Sequence, residues 1–207
     1  MKRALVLGDN ASLRHPLYGV LPSLNRALEG AFVLEAKEDY GALSLEQAKN
    51  YELIINYADD WDRRGSRSAA AALVTYVADG GSYLGLHCGL ATPRCHELSM
   101  MVGARFRGHP SQLLMDFSPA EAVHPVTQWT QPFKVTEEPY RFEFDVFRDS
   151  QVLLQYRYGY AKYPAAWCHP YLLGRVCCMV PGHSAESFIP PVRLLLYKAG
   201  LWLTHRL

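Results

Sequence analysis

The 207-residue sequence predicts one α/β domain built on a central, mainly parallel sheet, and three observations carry that prediction. Four short, wholly apolar runs at residues 4–7, 32–34, 53–55 and 83–86 are separated by stretches of helical character. Runs apolar on both faces that alternate with helices are the pattern of a parallel sheet covered on both sides. The chain is long enough to bury a sizeable core, and no break in composition divides residues 1–207 into two units. Finally, the fourth run ends in Gly85-Leu86-His87-Cys88-Gly89, a small-residue turn of the kind that joins a strand to a helix at the edge of such a sheet.

The elements follow in order. Ala4–Leu7 is the first strand: the run is too short for a signal peptide and turns polar at Asp9-Asn10. Leu21, Leu24 and Leu28 share one helical face that closes at Gly30, a natural C-cap. Ser68–Ala78 is rich in alanine, turns Leu73, Val74 and Val77 inward and stops at Gly80-Gly81. Between 103 and 145 the glycines at 103 and 108 and the prolines at 110, 119, 125, 132 and 139 exclude long helices. There Leu113–Phe117, Phe133–Val135 and Arg141–Phe144 read as short strands or connectors. Regular strands resume at 152–156, 165–167 and 175–180. A last helix is expected from about Ser187 to Leu203, with Pro190 and Pro191 in its first turn, where proline is tolerated.

Composition narrows the function classes. A net charge of +1 with scattered basic residues offers no footprint for nucleic acid, and no apolar segment is long enough to span a bilayer. The five cysteines, at 88, 95, 168, 177 and 178, lack the spacing of a disulfide framework or a zinc ribbon, which points to the reducing cytoplasm. Homo-oligomerisation is left open.

The turn after the fourth strand marks the expected site. Glycines at 85 and 89 permit a sharp reversal that lifts one side chain, His87 or Cys88, clear of the sheet edge. In a parallel sheet the loops that follow the strands emerge at one edge, where ligands bind. His15 follows the first strand, His87 the fourth and His183 the strand ending near Val180, so the three imidazoles are expected to converge. For His15, His109 and His124, each of which precedes a proline, the alternative is a turn start whose ring caps backbone groups.

The chain resembles the ThuA-like (trehalose-utilisation) family of the class I glutamine amidotransferase-like superfamily. The resemblance rests on Gly80-Gly81 with Gly85-Leu86-His87, on Gly103 through Gly108-His109-Pro110, and on His124-Pro125. It continues through Glu137-Glu138-Pro139-Tyr140, Pro164-Ala165-Ala166-Trp167, Gly174-Arg175-Val176 and Gly182-His183. It implies a flavodoxin-like three-layer fold and a cytoplasmic role in trehalose or disaccharide catabolism, with a small carbohydrate or its keto derivative as partner. It also adds His109, His124 and Glu138 to the cleft. His87, Glu138 and His183 are the catalytic candidates, and His15, His109, His124, Tyr140 and Trp167 the substrate-binding ones. His87, His109, His124 and His183 are candidate ligands for a divalent metal such as zinc. His87 stands where an amidotransferase nucleophile would, and Cys88 one residue late, so a standard glutaminase is disfavoured. A catalytically silent sugar-binding or assembly protein and a Cys88-dependent hydrolase are the alternatives.

Overall fold

The computed structural model describes residues 1–61, 66–92 and 95–207. The four apolar runs form β1 (Lys2–Leu7), β2 (Phe32–Lys37), β3 (Leu53–Asn56) and β4 (Ser82–Leu86), and β3 and β4 are buried at every position. Between them lie α1 (Leu17–Leu28), the short α2 (Leu45–Ala48) and α3 (Ser66–Ala78). The proline-rich half contributes α4 (His96–Val102), β5 (Ala104–Gly108), β6 (Leu113–Pro119), β7 (Phe133–Glu137) and β8 (Arg141–Phe144). The chain closes with β9 (Gln151–Tyr158), β10 (Ala161–Tyr171), β11 (Gly174–Met179) and α5 (Pro190–Leu203).

Nine strands join in the order β2-β1-β3-β4-β11-β10-β9-β6-β7. From β2 to β11 every pairing is parallel; from β11 to β7 every pairing is antiparallel. The prolines of residues 103–145 therefore punctuate antiparallel strands instead of isolated connectors, while β5 and β8 pair separately as a two-stranded antiparallel sheet. The last helix begins at Pro190, three residues later than Ser187, because residues 185–187 form a separate 3-10 turn and the prolines occupy the first helical positions.

The strand order turns outward in both directions from β1 and β3, since β1 leads through α1 to β2 and β3 leads through α3 to β4. Right-handed crossovers then place α1 and α3 on opposite faces. One continuous apolar cluster includes both sides of the parallel half, from Leu5, Leu24 and Leu196 to Leu73, Leu98 and Met101. The reversal of winding leaves a crevice beyond the carboxyl ends of β1, β3 and β4, the position at which open α/β sheets bind ligands.

Candidate functional site: a histidine and glutamate centre

Each strand that ends at this crevice delivers a polar group to it. After β1, Asp9 Oδ1 accepts from the backbone N–H groups of Ala11 and Ser12, and the Ser12 hydroxyl in turn accepts from the N–H of His15. This nested turn sets His15. After β3, Asp59 accepts from the Ser12 hydroxyl at 3.1 Å and faces His15 Nδ1 at 3.5 Å, and the hydrogen bond from His15 holds its carboxyl below the usual aspartate value.

After β4 the chain reverses in a 3-10 turn, His87–Leu90, that His87 enters with φ of 44°. A left-handed conformation is uncommon outside glycine and marks a strained elbow. Gly89 is required here, because a Cβ at that position would lie 2.0 Å from the Asn56 carbonyl oxygen. Asn56 closes the reversal by donating to the Gly89 carbonyl at 2.9 Å and accepting from the Ala58 N–H at 3.1 Å.

His87 is 0% exposed. Its ring does not reach solvent and is enclosed among the polar groups of the site. Nδ1 lies 2.7 Å from the Val180 carbonyl oxygen. A carbonyl can only accept, so Nδ1 carries the proton and Nε2 presents a lone pair. That nitrogen points at His183 Nδ1, 3.2 Å away, and at Glu138 Oε2, 3.3 Å away.

Glu138 Oε2 is the focus of the arrangement. His15 Nε2 lies 3.7 Å from it, His183 Nδ1 3.5 Å and His109 Nε2 3.7 Å. The rings of His15, His87 and His183 form a nearly equilateral triangle with centroid separations of 5.1, 5.0 and 5.1 Å. Ligand atoms of His15, His87, Glu138 and His183 all lie within 4.8 Å of one another, so these four can hold a metal. His109 stands at the rim with its side chain 24% exposed; its Nδ1 bonds the Pro110 carbonyl and its ring stacks on Tyr140 at 5.0 Å. Tyr140 also lies against His87, at 4.7 Å, and so forms an apolar shelf beneath two imidazoles.

Burial opposes the charge on Glu138, yet the surrounding imidazoles of His87, His109 and His183 hold its pKa at about 2. Burial, followed by His87, lowers that of His183. At neutral pH the centre thus combines an ionised carboxylate with an uncharged His183.

Two site candidates do not join. His124 Nδ1 accepts from the Val126 N–H, its carbonyl receives Thr127, and its ring packs on Trp202 and near Cys168 Sγ. The turn-start reading describes it, because it lies in the long β6–β7 connection and not behind a strand of the parallel edge. Trp167 is buried within β10, between Phe142 and Phe144, and donates to the Val102 carbonyl. Its surface is consumed by core packing and is closed to a sugar. Cys88 is likewise fully buried, its thiol donates to the Tyr57 carbonyl, and burial pushes its pKa well up. Such a thiol is a poor nucleophile, which removes the Cys88-dependent hydrolase.

Asp59 and Glu137 belong to the centre without having been singled out. Asp59 follows β3, so the strand-edge rule that selects His15 and His87 selects it too. Glu137 is 0% exposed; Oε1 accepts from the N–H groups of Gly182 at 2.8 Å and His183 at 3.3 Å, and Oε2 sits 3.6 Å from His87 Nδ1. No spacing rule separates it from its neighbour Glu138.

No helix among the described residues is long and apolar enough to cross a membrane. No curated protein matches the sequence. In fold, the chain is similar to a ThuA-like protein of Bacteroides uniformis, with a TM-score of 0.80 and 19% identity over 98% of this chain and 91% of that one. A ThuA-like protein of Parabacteroides merdae gives 0.79 and 16% over 99% and 90%. A cold-adapted β-galactosidase of Rahnella sp. R3 gives 0.71 and 14%, over 98% of this chain and 31% of that one. At such identities the likeness shows the fold alone. The family model described as ThuA, trehalose utilisation, matches residues 3–203, and the chain belongs to that family.

Proposed function

We propose that this protein is a cytoplasmic enzyme of carbohydrate catabolism that acts on trehalose, another disaccharide or a keto derivative of one, at the histidine and glutamate centre. The observation that carries the reading is the convergence of three imidazoles, those of the buried His15 and His87 and the half-buried His183, on one carboxylate oxygen at the carboxyl edge of the sheet. Buried polar atoms are normally hydrogen-bonded, and groups left without partners cost stability. Here His15 Nε2 and Glu138 Oε2 are both buried without a hydrogen-bond partner, which favours a site kept for chemistry over one kept for packing. The carbohydrate side of the reading comes from the family. Five free cysteines, all buried, suit a reducing compartment.

The class of reaction follows from what the centre offers. A glycosidase places two carboxyl groups on either side of the scissile bond, but Glu137 is sealed and held by backbone N–H groups and Asp59 faces the outer nitrogen of His15, so Glu138 alone presents an oxygen to the imidazoles. A keto-sugar isomerisation or elimination needs only a polarised oxygen and a nearby proton acceptor. The buried centre is the polarising element. His109, the more open imidazole at the rim, has Nδ1 tied to Pro110 and turns Nε2 towards the centre, 3.7 Å from Glu138 Oε2, where it can accept the proton.

The test is incubation with trehalose, other disaccharides and their keto derivatives in deuterated water, followed by NMR. In the keto derivatives, deuterium at the carbon beside the carbonyl is expected, with a loss of about 100-fold or more in His109→Gln and no loss in His124→Ala. Sugar binding without exchange or turnover across the panel would instead favour a silent binding protein.

A further inference from the structure

The nitrogens that face Glu138 Oε2 form a set of ligand atoms, and we infer that they hold a divalent metal ion of the zinc class through His15 Nε2, His87 Nε2, His183 Nδ1 and a Glu138 carboxylate oxygen. The inference deepens the reading of the centre above, and its test reads metal instead of sugar turnover, so either can fail without the other.

The first argument is the orientation of protons. His87 donates through Nδ1 to Val180, and His15 turns Nδ1 towards Asp59, so each directs a bare Nε2 inward. Such partners on the outer nitrogen are the usual support of a metal-bound histidine, because they fix the tautomer and raise the basicity of the inner nitrogen. The inner atoms of His15 and Glu138 are buried and without hydrogen bonds. Both side chains are nine-tenths buried, at 9% and 10% exposure.

Distance decides between a shared proton and an ion. A charge-assisted N–H···O bond spans about 2.7–2.9 Å, and a proton would draw one imidazole to that length. Instead one oxygen stands 3.3, 3.5 and 3.7 Å from three nitrogens. A tetrahedron of ligands about 2.0–2.1 Å from zinc has edges of roughly 3.3–3.4 Å and places imidazole centroids about 5 Å apart. The ring separations of 5.0–5.1 Å match that figure, and the contacts of 3.2–3.7 Å lie within a few tenths of an ångström of the edges.

Charge points the same way. Asp59, Glu137 and Glu138 gather around the centre, and among the described residues every ion-pair partner of the three is a histidine. Among the described residues no lysine or arginine pairs with them, and a divalent ion would offset their charge. Imidazole nitrogens with one carboxylate select zinc, cobalt, nickel or iron over magnesium and calcium, which prefer oxygen. Bound there, the ion would supply the polarisation of a substrate oxygen. His109 lies outside the group of four mutually close ligands and stays free.

The experiment is a titration of the full chain, stripped with a chelator, with ZnCl2 and separately with CoCl2, read by calorimetry, by metal content after desalting and by the visible spectrum of cobalt. One ion per chain is expected. His15→Ala and Glu138→Gln should each weaken affinity by about 100-fold or more, with His124→Ala unchanged. Absence of a stoichiometric ion in the wild-type protein overturns the inference whatever the variants do. Equal affinity in wild type and in Glu138→Gln, which preserves shape, or an equal loss in His124→Ala, overturns it as well.

Discussion

At Glu137 the two carboxylate oxygens have different tasks. Oε1 satisfies the N–H groups of Gly182 and His183, while Oε2 faces His87. Glu137→Ala would orphan two donors, at least one of them fully enclosed, at about 1–3 kcal/mol for such a group. We therefore expect a fall in urea-unfolding stability of about 3 kcal/mol. Glu137→Gln keeps an oxygen for the two N–H groups, so its stability should stay close to wild type. Its affinity for zinc should nevertheless drop by about 10-fold or more, because the charge behind His87 is gone; equal affinity would show that Glu137 only packs. At this scale the sequence is readable where a residue lies in the loop that follows a parallel strand, as His15, His87, His183 and Asp59 do. It is not readable for Trp167, whose aromatic face looks the same on paper whether it meets a sugar or Phe142.

The elbow joins element to element. Asn56, at the end of β3, is fully buried and makes hydrogen bonds to Gly89, Ala58 and Tyr83. Its replacement by Ala should cost about 2–4 kcal/mol, since it leaves a buried carbonyl and N–H without partners. Gly89→Ala should be at least as damaging, because its new methyl would collide with backbone rather than with a flexible side chain. Circular dichroism melts of the two variants check both; a Gly89→Ala protein as stable as wild type would mean that the reversal can open. Apolar runs make the parallel strands visible in the sequence, since β3 and β4 are buried on both faces. The antiparallel half is harder to read. β7 shows a buried and exposed alternation, and 13 residues separate it from its partner β6, so local pattern does not reveal the pairing.

For the whole molecule, burial lowers the pKa of three histidines. His124, His169 and His183 have pKa values lowered from 6.5, in each case first by desolvation. A depressed pKa means that the unfolded chain binds protons first, so the stability these groups contribute is full above about pH 6.5 and is lost as pH falls towards their folded values. Metal-free protein should accordingly weaken between pH 6.5 and 5 in urea titrations. His169, bonded to Met101 and Ser150 away from the centre, supplies part of that slope, and His169→Gln should flatten it. Zinc at 100 times its dissociation constant should add about 2.7 kcal/mol. That corresponds to a rise in melting temperature of roughly 5–10 °C for a chain of this size, absent in Glu138→Gln. An unchanged melting temperature in the wild-type protein would contradict a site preformed by folding.

The convergence of His15, His87, His183 and Glu138 on one point is tested most directly by a crystal structure of the zinc-soaked protein with diffraction collected on both sides of the zinc absorption edge. A single anomalous peak is expected at the carboxyl ends of β1, β4 and β11, about 2.0–2.2 Å from the three inner nitrogens and a Glu138 oxygen, with His124 and Trp167 remote from it. Rings found apart, or an anomalous peak at another place with none between these four side chains, would contradict it.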